Sequence, residues 1–201
     1  PLLDPHPPLV TAFEARRCAE ARERGDDRAS VSFDFWKTPR VEATLAPRGV
    51  EATIETSDGG TRDVFIAWED VETMAADERG VYEPANEEDW TTGGFRKVVR
   101  YSDDTNRAVS LMPTGDGTWP TALIAGFSMH RFGVGVDPKE DTEKKLASAG
   151  PIRRGARVLD VCTGLAYTSC VAFEKYGARV TTIALDRTMT AMCRMTPHSS
   201  P

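Results

Sequence analysis

The sequence predicts an α/β fold, in which a small β-rich N-terminal domain precedes the start, β-α-β, of an open parallel sheet. Three observations carry this reading. Residues 41–55 alternate apolar and polar side chains with a period of two, as half-buried antiparallel strands do. Two short apolar runs, 156–161 and 178–185, flank a helical stretch at 167–176. A Gly-containing turn leads directly from the first run into that helix, the connection a right-handed parallel crossover requires.

Taken in order, residues 1–27 form an N-terminal extension. Proline-rich lead-in residues come first, and an Ala/Arg/Glu-rich helix then runs from Leu9 to Arg24 and reads as solvated. Residues 28–125 form the β-rich domain. Val31 and Phe33, with neighbouring Trp36, mark its first strand. Strands around 41–45 and 50–55 follow, joined at Pro47-Arg48-Gly49. Residues 57–60 make the next turn, 63–67 a strand and 68–78 a helix stopped by Gly80. Shorter strands are expected at 95–101, 107–111 and 121–125. Residues 126–201 then hold a helix from Asp137 to about Ala149, started by Pro138 and acidic residues, and the β-α-β unit.

Composition excludes several classes. Lys and Arg number 25 against 31 Asp and Glu, so the net charge of −6 disfavours a protein that tracks nucleic-acid phosphates. No apolar run approaches the ~20 residues of a membrane-spanning helix, so no membrane partner is expected. Cys18, Cys162, Cys170 and Cys193 lie too far apart for a zinc site with His6, His130 and His198, and no metal is expected. Without a secretory signal the thiols read as reduced, and the expected compartment is the cytoplasm. Organellar targeting stays open because the chain opens on Pro1.

The chemistry concentrates at residues 158–168, V-L-D-V-C-T-G-L-A-Y-T. Asp160 ends a strand, and Cys162, Thr163 and Gly164 form a tight turn into a helix. Open parallel sheets bind ligands at such turns, beyond the carboxyl ends of their strands. A carboxylate there would repel a dinucleotide pyrophosphate and suits a cationic sulfonium donor. The G-x-G-x-x-G pattern of nicotinamide and flavin sites is missing.

These residues resemble the first motif of class I S-adenosylmethionine-dependent methyltransferases. More narrowly, the chain is similar to the predicted archaeal-type methyltransferases near the spermidine-synthase-like group. The likeness extends over about residues 28–198, through Leu111-Met112-Pro113-Thr114, Met129-His130-Arg131 and Asp141-Thr142 to Asp186, Met189 and Met192-Cys193-Arg194. It implies that residues 126–201 are part of a Rossmann-like domain binding S-adenosyl-L-methionine. Asp160 would lie near the methionine end of the cofactor. Cys162, Thr163 and Gly164 would form the close-approach turn, completed by Leu165, Ala166 and Tyr167, with Thr168 in the first helical turn. His130 and Arg131 would stand beside cofactor or substrate. The usual ribose-binding acid aligns with Ala184, which leaves Asp186 as the nearest substitute.

The resemblance implies an intracellular transferase, a methyltransferase of unknown acceptor with no assignable catalytic residue. Its alternatives are a non-catalytic scaffold or binding protein of the same descent, and an aminopropyltransferase-like enzyme. Two departures weaken the cofactor site. Ala166 stands where the family has Gly, and a Cβ at positive φ costs about 1 kcal/mol or more. Ala184 removes a charged acceptor worth about 1.5–3 kcal/mol. The sequence stops soon after the second strand of the unit, so the chain reads as truncated, an N-terminal part expected to be inactive alone.

Overall fold

The computed structural model describes residues 6–56 and 59–199. Pro201, part of the lead-in and the expected turn residues Ser57 and Asp58 lie outside them. The described chain divides into two compact units, 1–98 and 99–201, so the segment from 99 to 125 belongs with the C-terminal residues.

In the first unit, β1 (Val10–Thr11) leads into α1 (Ala12–Glu23). The Thr11 hydroxyl accepts the Glu14 N–H at 3.3 Å and caps this helix. A four-stranded antiparallel sheet follows, from β2 (Arg28–Val31) and β3 (Val41–Ala46) to β4 (Gly49–Glu55) and β5 (Thr61–Ala67). Then come α2 (Trp68–Ala76), β6 (Val81–Pro84) and β7 (Phe95–Lys97), with β6 pairing both β1 and β7.

Helix α1 is not solvated. Ala15, Cys18 and Ala21 are buried in one core with Val31, Val50, Ile66, Val71 and Met74. Its apolar stripe is built from small residues three apart, and their low hydrophobicity concealed it. The first strand ends at Val31, and Phe35 and Trp36, at positive φ of 53° and 62°, lie in the turn beyond it. At Gly49 a Cβ would stand 2.2 Å from the Ile66 carbonyl oxygen, so the β4–β5 pairing requires glycine there.

In the second unit, β8 (Val99–Ser102), β9 (Arg107–Met112), β10 (Thr121–Ile124) and β11 (Phe127–Ser128) form an antiparallel meander. Helix α3 (Pro138–Ser148) is capped by Asp137, whose side chain accepts the Glu140 N–H at 2.9 Å. Strands β12 (Arg157–Val161) and β13 (Arg179–Ile183) pair in parallel around α4 (Tyr167–Tyr176), which Gly177 ends at φ 64°. Helix α5 (Arg187–Met195) and a short 3₁₀ turn at Pro197–Ser199 follow.

The expected α/β class, with the start of a Rossmann-like domain, does not hold. The described residues form a mixed, strand-rich fold of thirteen strands in four separate sheets with five helices. Three of those sheets are antiparallel, and the parallel pair β12–β13 stands as a two-stranded sheet of its own. Its strands are not buried on both faces, as parallel sheets normally are. Val158 and Val180 pack toward α3 and α4, whereas Leu159 and Val161 on the other face are 63% and 59% exposed. Their apolar composition reads as a fully buried strand, and periodicity alone cannot separate that case from a strand with one uncovered face. No helix among the described residues is long and apolar enough to cross a membrane.

Two substitutions test this architecture by chemical denaturation. Gly49→Ala is expected to cost about 2–4 kcal/mol, because its Cβ meets backbone that cannot swing away. Ala125 and Gly126 link β10 and β11 with φ of 49° and 85°, a two-residue turn that favours Asn-Gly. Ala125→Asn is therefore expected to stabilise by about 0.5–1 kcal/mol.

Candidate functional site

A cavity of about 450 Å³ opens within the second unit, a size typical of small-molecule sites. The bend after β12 supplies Cys162, Thr163 and Gly164, and the segment after β13 supplies Ala184, Leu185 and Asp186. Thr105, Arg107, Ile124 and Met129 close it from the meander, and Met189 from α5.

Register and turn chemistry build the first wall. The N–H groups of Cys162 and Thr163 both donate to the Ile183 carbonyl, at 2.9 and 3.0 Å, which holds the bend against the end of β13. Cys162 and Gly164 adopt positive φ of 71° and 55°. A Cβ on Gly164 would lie 2.5 Å from the Met129 methyl, so glycine here lets the Met129 side chain fold over the bend.

Asp186 holds the opposite wall. One carboxylate oxygen accepts the Met189 N–H at 2.9 Å and caps α5; the other accepts the Thr105 hydroxyl at 3.0 Å. Burial pushes the Asp186 carboxyl upward, but the Met189 N–H and the Ser102 and Thr105 hydroxyls outweigh it and hold the group below its ordinary value. Beside it the Arg187 guanidinium grips Asp104 through two nitrogens, at 2.8 and 3.1 Å. That pair brings the Asp104 carboxyl down to about 2.

Asp160 does not line the cavity. Its carboxylate accepts the Ser169 hydroxyl at 2.6 Å and the Thr182 hydroxyl at 3.3 Å. Thr182 lies 2.7 Å from the Thr163 hydroxyl oxygen. An ionised carboxylate only accepts, so Thr182 donates to Asp160 and Thr163 donates to Thr182. Thr163 is left with lone pairs for the cavity, and Asp160 acts on it through this relay.

The remaining expected contact residues are elsewhere. Leu165, Ala166 and Tyr167 are buried in the unit's interior. Tyr167 donates its hydroxyl to the Pro120 carbonyl at 2.9 Å and packs against Trp119. Ala166 carries its Cβ at φ 58°. Thr168 is exposed. His130 bonds Thr121 through Nδ1 at 2.9 Å and lies against the Tyr167 ring. Arg131 is exposed outside the cavity lining, and its backbone N–H donates to Asp141. Of the eleven expected contact residues, the cavity thus gathers Cys162, Thr163, Gly164 and Asp186.

Sequence reasoning missed Thr105, Arg107, Ile124 and Leu185 as lining residues, and it missed α5. The helix had a readable signal: Asp186 precedes Arg187-Thr188-Met189 as an N-cap does. The meander residues had none, because only the tertiary pairing brings them to this cavity.

No protein-family profile matches the sequence. The chain is 31% identical over 169 residues to an uncharacterized protein of Methanocaldococcus jannaschii, a match covering 84% of this chain and 51% of that protein. The chain therefore spans about half the length of this curated relative.

Two expected outcomes follow from the geometry. Asp186→Ala removes the cap of α5 and the Thr105 bond together, and should lower stability by about 1–2 kcal/mol in urea titration. Burial, aided by Lys145, brings His130 down to about 4 from an ordinary 6.5. The unfolded chain then binds the extra proton between those values, so stability falls as pH drops from about 6.5 to about 4, by on the order of 2 kcal/mol. His130→Asn should flatten the stability profile across that window.

Proposed function

We infer that the second unit forms the S-adenosylmethionine site of a methyltransferase. One observation carries this reading. The cavity unites the 162–164 bend with the 184–186 segment, the two stretches that the motif resemblance assigns to the cofactor. The fit is also chemical. Ile124, Met129, Leu185 and Met189 offer apolar walls for an adenosyl group, and Asp186 offers a carboxylate for hydroxyl donors. Thr163 presents an acceptor at the bend, suited to an ammonium group.

The bound cofactor would supply a methyl group on a cationic sulfur. The chain's own contribution is to hold the cofactor in place and to keep the apolar wall closed by Met129 over Gly164. Positioning of this kind supplies much of the acceleration in group transfer between two bound reactants. A second reading, binding without turnover, is favoured by Ala184, whose methyl lines the cavity where the resemblance expects an acid.

Calorimetry tests the cofactor reading. The chain should bind S-adenosylmethionine with a Kd of order 10 μM, about −7 kcal/mol. Asp186→Asn should weaken binding roughly tenfold while lowering stability by less than Asp186→Ala does, because Asn still caps α5 but its amide nitrogen cannot accept the Thr105 hydroxyl and the acceptor loses its charge. No heat at millimolar ligand would refute the reading.

A further inference from the structure

The cavity's charged lining consists of Asp186 and Arg107, and the two differ in how far their charges are already engaged. The Asp186 carboxylate is occupied by the Met189 N–H and the Thr105 hydroxyl. Arg107 has no ion pair or side-chain hydrogen bond among the described residues, Asp186 included. It opens β9 opposite Ser102 and shares a sheet face with Val109 and Leu111, both buried. Its stem therefore starts on the inner face of the meander, and its head borders the cavity with an unused set of donors. An arginine fork matches a carboxylate better than any other side chain does.

Resting on the S-adenosylmethionine reading, we propose that Arg107 recognises the cofactor's α-carboxylate and so sets the donor class of the site. S-Adenosylmethionine carries a sulfonium, an ammonium and a carboxylate. Its decarboxylated form, the aminopropyl donor, keeps both positive charges and loses the carboxylate. Beside an uncompensated guanidinium the first ligand gains a charge-assisted pair, whereas the second meets like charge. Arg107 thus selects the methyl donor and rejects the aminopropyl donor in the same cavity. This separates two chemistries that the bend at 162–164 alone leaves together.

Isothermal calorimetry on the full chain, with S-adenosylmethionine, its decarboxylated form and 5′-methylthioadenosine as probes, tests the assignment. The native chain should bind S-adenosylmethionine at least tenfold more tightly than the decarboxylated form. Arg107→Met should weaken S-adenosylmethionine at least tenfold, leave 5′-methylthioadenosine within twofold, and abolish the preference. Arg107→Lys should restore part of it. Because Arg107 is exposed, both variants should melt within a few degrees of the native chain. If Arg107→Met binds S-adenosylmethionine as tightly as the native chain, or the native chain binds both donors equally, the Arg107 assignment is overturned and the cofactor reading stands. If none of the three probes binds at millimolar concentration, the cofactor reading fails and the assignment falls with it.

Discussion

The carboxylate of Asp186 is the joint on which the second unit's cavity depends. With one oxygen it starts α5, and with the other it takes the Thr105 hydroxyl from the turn between β8 and β9. Two parts of the chain more than eighty residues apart are tied at one side chain, and the Arg187–Asp104 pair repeats the tie one residue further on. An exposed ion pair of that kind adds little by itself. The capped helix terminus beside it is the stronger constraint, since four N–H groups of a helix start lack intrahelical partners. The same carboxylate borders the cavity, so the side chain that shapes the site is also its anionic wall.

The bend after β12 meets this joint from the other side. Positive φ at Cys162 and Gly164 curls the backbone, and two N–H groups on the Ile183 carbonyl fix the curl to β13. Asp160 stands behind the bend rather than in the cavity and reaches Thr163 through Thr182. A strand-end acid can thus influence a ligand without touching it, by deciding which hydroxyls along the relay donate and which accept. Ala166, strained at φ 58°, shows that the turn keeps its left-handed geometry although its residue is not glycine.

Local signals in the sequence were strong where they depended on neighbours in the chain. The alternation over β3 and β4, the Asp137–Pro138 helix start and the Gly177 stop all report local backbone chemistry, and the structure places elements there. The overall class was not legible. Two apolar runs joined by a helix suggested a larger parallel sheet, whereas β12 and β13 stand as a pair with one face uncovered. The burial of α1 was hidden because its stripe is alanine and cysteine. Within the site, the bend was readable from turn chemistry and Asp186 from the motif resemblance, whereas its capping of α5 was missed. Thr105, Arg107 and Ile124 were not readable, because antiparallel pairing in the meander, and no local pattern, brings them there.

The central claim is that Cys162–Gly164, Ala184–Met189 and Thr105–Arg107 surround one small-molecule site. Amide chemical shifts of the ¹⁵N-labelled chain, followed during addition of S-adenosylmethionine, test it most directly. The account predicts saturable shifts clustered on those three segments and on Met129, with unit 1 unchanged. Absence of saturable shifts, or a cluster centred on exposed Thr168 and the Arg131 loop instead, would contradict it.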